Sequence, residues 1–348
     1  MTRTLVRMTI VAAVLVGSSA VAWAASAPSQ GRERPFSDPL ILREDIPTHL
    51  SLFSTALPDR ARTLELHQWA WEVGYLNSNS IADQNNIAVT DRIIVDGEMS
   101  RMELRLKYGV ARHWELEATV PYLVLGGGVS DAFIRSFEGG FGFTTPRARR
   151  IRGRNEFRYL FMVNGRNLIN KTDETLQGLG DIPLQIKYQI RDAADGWVPR
   201  LALRGMLKAP TATDPLLGNG RVDAGVGVLA EQPVGNRILI LANLDVTTAH
   251  LPLALKTIDI DPVVVSGTLG FEQFLTDRAS WKVQWMAGSN PYPKFAKDMT
   301  ALNSLPMGIA VGWAYRLMPH ATVKLMASEN INSAWPDFGW GGSVEGKF

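Results

Sequence analysis

The chain has 348 residues, of which 46% are hydrophobic and 20% charged, with 31 Gly, 19 Pro, no Cys and a formal net charge of +2. This composition excludes a disordered chain, a disulfide scaffold, a thiolate metal site and cysteine-based catalysis. The near-neutral charge argues against a dedicated nucleic-acid-binding protein, and no motif predicts a cofactor or a metal.

The N-terminus is predicted to be a secretory signal peptide, residues 1–24. Two arginines precede an uncharged stretch from Met8 to Ala24, and this stretch ends in the small-x-small sequence Ala-Trp-Ala. The apolar core is too short to favour the alternative, an anchored transmembrane helix. Cleavage after Ala24 removes two arginines and no acidic residue, so the mature chain is formally neutral.

The rest of the chain has a period-2 pattern in segments of about ten residues, separated by Gly, Pro, Asn and Asp. Between Ser100 and Val110, for example, apolar side chains alternate with charged ones. No later stretch contains 18 consecutive apolar residues. This pattern is typical of a soluble β-sandwich or of a transmembrane β-barrel, whose apolar face meets lipid and whose polar face lines the lumen.

The C-terminal strand favours the barrel. Phe338, Trp340, Val344 and Phe348 lie on one face, and the chain stops on Phe348. This strand resembles the terminal strand of bacterial outer-membrane proteins, whose last aromatic residue is read by the barrel-assembly machinery. Trp and Tyr also fall on apolar strand faces, as aromatic belts at the bilayer interfaces require.

Loop lengths predict about 12 strands, because six longer and five shorter connections alternate strictly along the chain. We therefore expect an all-β fold, a transmembrane antiparallel up-and-down β-barrel with short periplasmic turns and long outer loops. The barrel is assigned to residues 63–348, and residues 25–62 form an N-terminal segment that lies in the periplasm or plugs the lumen. The predicted strands are 63–76, 91–108, 114–125, 178–190, 198–209, 221–231, 237–248, 262–275, 280–288, 305–317, 321–329 and 338–348. Glu156–Val163 also has a strand pattern, and we place it in a hairpin rising from the second outer loop.

The inward-facing charges form the first candidate site. They either set solute selectivity or pair with one another and fill a narrow barrel. The predicted lumen-lining residues are Arg101, Glu103, Arg105, Lys107, Glu115, Glu117, Lys187, Arg200, Arg204, Lys208, Arg237, Asp245 and Lys282.

Two outer segments are further candidates. An outer basic loop, with Arg147, Arg149, Arg150, Arg152 and Arg154, either binds lipopolysaccharide phosphates or is simply solvated. A mouth loop, with Phe133, Ile134, Phe137, Phe141 and Phe143, either gates the mouth or packs on itself at the rim.

Enzyme chemistry has little support, because no serine is marked as the partner of a histidine. Only His250, beside Thr247 and Thr248, lies near the predicted outer surface. It leaves a lipid-modifying enzyme as a minor alternative.

Five stretches together resemble a proteobacterial family catalogued as domain of unknown function 3187. They are IPTHLSLFSTALPDRAR, VDGEMSRMELRLKYGVARHWELEATVPY, GGGVSDAFIRSFEGGFGF, GLGDIPLQIKY and LKAPTATDPLLGNGRVDAG. The resemblance covers most of the mature chain and is most specific from Asp96 to Phe143. It implies an outer-membrane β-barrel without an assigned activity.

The sequence thus predicts a monomeric barrel in the outer membrane of a Gram-negative bacterium, in contact with membrane lipid and lipopolysaccharide. Its predicted function is a passive or gated conduit for a small solute. The alternative is a closed barrel with a structural or surface-interaction role. An open pore would be incompatible with residues 25–62 threading the lumen unless they move.

Overall fold

The structure is a computed structural model that describes residues 37–41, 56–88, 90–128, 155–192, 198–292 and 304–348, with isolated positions between the last ranges and after 128. The predicted signal peptide, the outer basic loop and the mouth loop's aromatic residues lie outside the described residues. Within the part of the chain that the structure describes, no helix is long and apolar enough to cross a membrane.

The described residues form a single antiparallel sheet and one short 3-10 helix, Leu253–Leu255. The strands are β1 (Trp69–Asn85), β2 (Arg92–Ala111), β3 (Trp114–Gly126), β4 (Arg158–Val163), β5 (Arg166–Thr172), β6 (Leu176–Leu179), β7 (Ile182–Arg191), β8 (Arg200–Ala209), β9 (Asp223–Val234), β10 (Ile238–Thr248), β11 (Val263–Phe274), β12 (Ala279–Gly288), β13 (Met307–Met318), β14 (Ala321–Asn330) and β15 (Phe338–Lys347).

The sheet closes into a barrel, because β1 pairs with β15 along one edge and with β2 along the other. Strands β6 and β7 pair with successive parts of β3, so they make one wall strand interrupted at Gly180 and Asp181. Strands β4 and β5 form a hairpin that pairs with the far end of β2 and stays outside the closed wall. The wall therefore has 12 strands, which confirms the predicted fold, and the hairpin lies where the sequence placed it.

The largest difference from the predicted strands is in β1. It starts at Trp69 rather than at residue 63, and its ladder with β2 continues without a register shift to Asn85. Most of the predicted connection from Asn77 to Thr90 is therefore strand. Its run of Asn and Ser has no apolar alternation, because the two strands rise beyond the apolar band and are covered on both faces.

The barrel has two different ends. The turn end holds the short turns, and the backbone N–H and C=O of Trp69 bond there to the C=O and N–H of Phe348. The loop end holds the longer connections and the β4–β5 hairpin.

The wall reverses the arrangement of a soluble protein. On β2, Met102 is 48% exposed, whereas its neighbours Arg101 and Glu103 are 2% and 3% exposed. The same alternation of exposed apolar and buried polar side chains recurs along β3, β7, β8 and β10. Such a wall suits a lipid exterior and a polar lumen.

Candidate functional site

The lumen is the candidate site, and most of the predicted lumen charges lie in it. Twelve are buried on the inner face of the wall: Arg101, Glu103, Arg105, Lys107, Glu115, Glu117, Lys187, Arg200, Arg204, Lys208, Asp245 and Lys282. Many form ion pairs with a neighbouring strand. The Arg204 guanidinium, for example, donates two hydrogen bonds of 2.6 and 2.7 Å to the Asp245 carboxylate.

Arg237 is the exception, and its prediction as a lumen residue is wrong. It lies in the turn between Val234 and Ile238 and is exposed at the turn end. The physical reason is local: Gly235 adopts a positive φ of 59° and turns the chain, so β10 begins only at Ile238.

A part of the N-terminal segment occupies the lumen. Residues 37–41 and 56–64, together called the lumen segment, are bonded to the inner faces of strands around the barrel. The backbone N–H of Leu40 donates to Gln284 Oε1 at 2.6 Å, and that of Asp59 donates to Asn243 Oδ1 at 2.8 Å. Residues 63 and 64, assigned to the barrel from the sequence, still belong to this segment, since Leu64 N–H donates to Glu115 at 2.8 Å.

Asp59 is the most highly coordinated carboxylate of the lumen segment. Its oxygens accept from Lys107 Nζ at 2.6 Å and Lys187 Nζ at 2.7 Å, and Arg105 Nη2 lies 3.4 Å away. Burial alone would raise the pKa of Asp59, but these cations outweigh it and hold the pKa well below its usual range. Asp59 is therefore a carboxylate in this structure.

Asp38 forms the second ionic contact of the segment. Its carboxylate accepts from Lys107 Nζ at 2.7 Å, and its backbone carbonyl accepts from Lys282 at 3.0 Å and from Lys324 at 3.3 Å. Burial opposes ionisation here as well, yet Lys107 and Lys347 keep the pKa of Asp38 well below its usual range. Lys324 in turn pairs with the wall carboxylate of Glu72.

Arg60 forms the third contact. Its guanidinium donates to Glu231 through Nε at 2.6 Å and Nη2 at 2.8 Å, and Arg200 of the wall donates to the same carboxylate at 2.7 Å. The backbone carbonyl of Leu57 also accepts from Arg204 at 2.6 Å, so Leu57, Asp59 and Arg60 together fix residues 57–60 in the lumen.

Two glycines of the inner wall make room for the apolar side chains of the segment. A Cβ placed on Gly74 would lie 2.7 Å from Ile41 Cδ1, and one on Gly312 would lie 2.6 Å from Leu40 Cδ2. Because a larger residue at either position would collide with the segment, the wall is shaped for it.

The sequence did not single out Asp38, Asp59 or Arg60, because prolines interrupt that region and no strand pattern marks a face. One signal was present. The predicted lumen set holds nine cations and four acids, so further carboxylates had to come from elsewhere. The structure supplies them from the segment and from wall residues, namely Glu72, Asp181, Asp223, Glu231, Glu272 and Glu345.

The loop end is closed by a second layer, which is apolar. We call it the mouth cluster; its buried members include Ile93, Leu125, Tyr159, Phe161, Leu217, Leu255, Ile258 and Tyr292. Phe161 of the hairpin and Tyr292 after β12 come from nearly opposite sides of the wall, and their ring centroids are 6.3 Å apart. The hairpin therefore reaches across the mouth.

A polar cluster near the loop end contains the one histidine singled out from the sequence. His250 Nδ1 lies 2.6 Å from Asp223 Oδ1, and Lys208 Nζ bridges Asp223 at 2.9 Å and Asp181 at 2.5 Å. Among the described residues no serine hydroxyl is bonded to the His250 ring. The same Asp223 oxygen accepts from the Thr248 hydroxyl at 3.4 Å.

The C-terminal residues that were predicted to form the assembly signal lie mostly on the outer face. Trp340 and Val344 are partly exposed, and Phe348 is 73% exposed at the turn end, whereas Phe338 is buried near the loop end. Recognition by the assembly machinery stays a prediction.

Similar proteins agree with this architecture. The COG4313 outer membrane channel from Pseudomonas putida F1 is 12% identical with a TM-score of 0.52, and the match covers 83% of this chain and 98% of that one. At this identity it shows a shared fold. The KdgM porin in complex with disordered oligogalacturonate (5% identity, TM-score 0.43, 80% and 99% covered) and the P. putida toluene transporter TodX (9%, 0.36, 82% and 90%) are more distant.

No curated protein is a significant match. A family profile described as "Protein of unknown function (DUF3187)" matches residues 42–348, which is most of the chain. The resemblance noted from the sequence is thereby confirmed, and the chain belongs to this family of outer-membrane-type β-barrels.

Proposed function

We propose that the protein is an outer-membrane conduit for a small solute, and that the lumen segment closes it in this structure. The observation that carries the proposal is the way the lumen is filled. The wall is lined with charged side chains, and a separate stretch of chain occupies the space between them through polar contacts. Such a wall can be hydrated once the segment leaves, whereas an apolar core cannot.

The outer-membrane location rests on the exposed apolar face. Large apolar side chains are exposed on nearly every wall strand, which exceeds the apolar patch that a soluble monomer carries. Aromatic pairs lie on this face near the turn end: the ring centroids of Trp69 and Tyr108 are 4.4 Å apart, and those of Trp114 and Tyr188 are 4.6 Å apart. Paired Trp and Tyr side chains suit the membrane interface.

The mouth cluster supports a second candidate, a permanently closed barrel with a structural or surface role. In this structure the lumen segment and the mouth cluster both lie in the path between the two ends. A conduit therefore requires both closures to open, and a closed barrel requires neither.

Gly74→Leu tests the conduit. A side chain at this position displaces Ile41 of the lumen segment, while its nearest wall neighbour, Ser343 Cβ, is at an ordinary contact distance of 3.5 Å. We expect Gly74→Leu to raise the frequency of open-channel events in planar bilayers by at least about tenfold, the factor that 1.4 kcal/mol of lost docking energy gives.

Gly205→Leu is the matched control, because Gly205 lies on the outer face of β8 and a Cβ there would meet only Ile186 at 3.4 Å. It should behave as the wild type. Absence of channels in Gly74→Leu, in a barrel shown to be folded by its shift in gel mobility on heating, would favour the closed barrel.

A further inference from the structure

The surroundings of Asp59 show what kind of group the lumen wall binds. Three cations converge on its carboxylate, two from β2 and one from β7: Arg105, Lys107 and Lys187. Their side chains are at most 5% exposed. A carboxylate carried by a separate stretch of the chain thus already occupies a built site in the lumen.

The wall alone leaves this site one anion short. Arg105 is paired with Glu117 at 2.7 Å and Lys187 with Glu115 at 2.8 Å. Among the described residues, the close acceptors of Lys107 are Asp38 and Asp59 of the lumen segment, and its wall neighbour Glu117 is farther away, at 3.9 Å. Three cations therefore face two wall carboxylates when the segment is absent.

The site also contains a hydrogen-bond donor that the Asp59 carboxylate does not use. Arg105 is buried, and its Nε has no hydrogen-bond partner among the described residues. A buried ammonium or guanidinium without an acceptor is costly, so departure of the segment is favoured when another anion takes its place.

We propose that a small carboxylate-bearing solute binds to Arg105, Lys107 and Lys187 in place of the Asp59 carboxylate. The inference rests on the proposed function, since it requires the segment to leave. It adds the class of solute and a mechanism of opening. Because the solute and Asp59 compete for one site, the solute binds only the undocked form and shifts the population towards it.

The test uses acetate as the probe and acetamide as its neutral analogue, at pH 7 and constant ionic strength. In the Gly74→Leu channel we expect acetate to reduce the current in a saturable way and acetamide to have no such effect. Adding Lys107→Gln should raise the half-saturating acetate concentration at least tenfold. Lys208→Gln is the matched control, because Lys208 is also a buried lumen lysine and its carboxylate partners, Asp181 at 2.5 Å and Asp223 at 2.9 Å, lie outside the lumen segment. An acetate effect that is unchanged by Lys107→Gln, or equal to that of acetamide, would overturn the inference.

A second readout does not depend on conduction. The chain has no cysteine, so Ala61→Cys places a unique thiol in the buried segment. We expect acetate to accelerate its reaction with a water-soluble maleimide severalfold, and Lys107→Gln to abolish the acceleration. If Gly74→Leu does not conduct, the proposed conduit function is refuted, and the labelling alone then tests the carboxylate site. A labelling rate that does not depend on acetate would refute the carboxylate site.

Discussion

At the scale of single residues, Glu231 makes three hydrogen bonds to the described part of the lumen segment, more than any of the predicted lumen-lining residues makes there. Its two oxygens accept from Arg60 twice, from Arg200, and from the backbone N–H of Ala61 at 3.2 Å. All of these groups are buried. Removal of the negative charge would break two buried ion pairs at once, and breaking one buried pair typically costs about 3–5 kcal/mol.

We therefore expect Glu231→Gln to release the segment. The cost is relieved when Arg60 moves into water, so the Ala61→Cys thiol should react with maleimide at least about tenfold faster than in the same cysteine background with Glu231. Glu174→Gln is the control, because Glu174 pairs with Lys171 at the exposed surface. Equal rates in all three proteins would mean that the Arg60 anchor does not hold the segment.

The glycine pair of the inner wall illustrates what a residue can do without a side chain. Gly74 and Gly312 supply space for Ile41 and Leu40, and this apolar contact adds to the polar anchors. The sequence pattern could not distinguish Gly312 from Gly308 on the same strand, or Gly74 from glycines on other strands, since their contact with the segment appears only in the folded barrel.

At the scale of elements, docking of the lumen segment should depend on pH through its two aspartates. The pKa values of Asp38 and Asp59 are lowered in the docked segment, whereas the free segment should have the ordinary value of about 3.9. A group with a lowered pKa stabilises the docked state fully above its ordinary pKa. That contribution is lost as the pH falls through the lowered value.

Channel activity and Ala61→Cys accessibility should therefore be flat from pH 8 to about 5 and increase only below about pH 4. Recordings at a series of pH values check this, and the Asp38→Asn, Asp59→Asn double variant should be open more often at pH 7 and show a smaller acid step. Closing on acidification, or an acid step as large in the double variant as in the wild type, would contradict the assignment.

The strands themselves were largely predictable. The predicted bounds of β3, β8 and β10 to β15 lie within a few residues of the observed ones, because alternation between two solvents is a local property of each strand. The start of β1 was not predictable in this way. Thr63 and Leu64 precede β1, and their backbone N–H groups bond to Gln189 and Glu115 inside the lumen.

At the scale of the whole molecule, the apolar exterior predicts where charge is tolerated. Leu203 is 45% exposed in the middle of β8, and Ile87 is 86% exposed at the tip of the β1–β2 turn. In water both would accept a charge within about 0.5 kcal/mol. In a bilayer only the position outside the apolar band should accept it.

We expect Leu203→Arg to destabilise the barrel in lipid vesicles, lowering its free energy of unfolding by about 2–4 kcal/mol, the range for a cation near the bilayer midplane. Ile87→Arg should lower the free energy of unfolding by less than about 1 kcal/mol. Urea titrations of vesicle-inserted protein measure both. Equal small effects would indicate that β8 faces water, and the membrane placement would have to be abandoned.

The sequence by itself determined the barrel: the strand pattern, the number of wall strands, the inner and outer faces, and all but one of the predicted lumen charges. These features follow from short-range alternation, which needs no knowledge of distant partners. Only the tertiary structure decided that the lumen is filled and by what. Asp59 meets Lys187 and Ser37 meets Glu272 across 128 and 235 residues. No local pattern encodes such pairings, because they depend on which wall strands the closed barrel places next to each part of the segment.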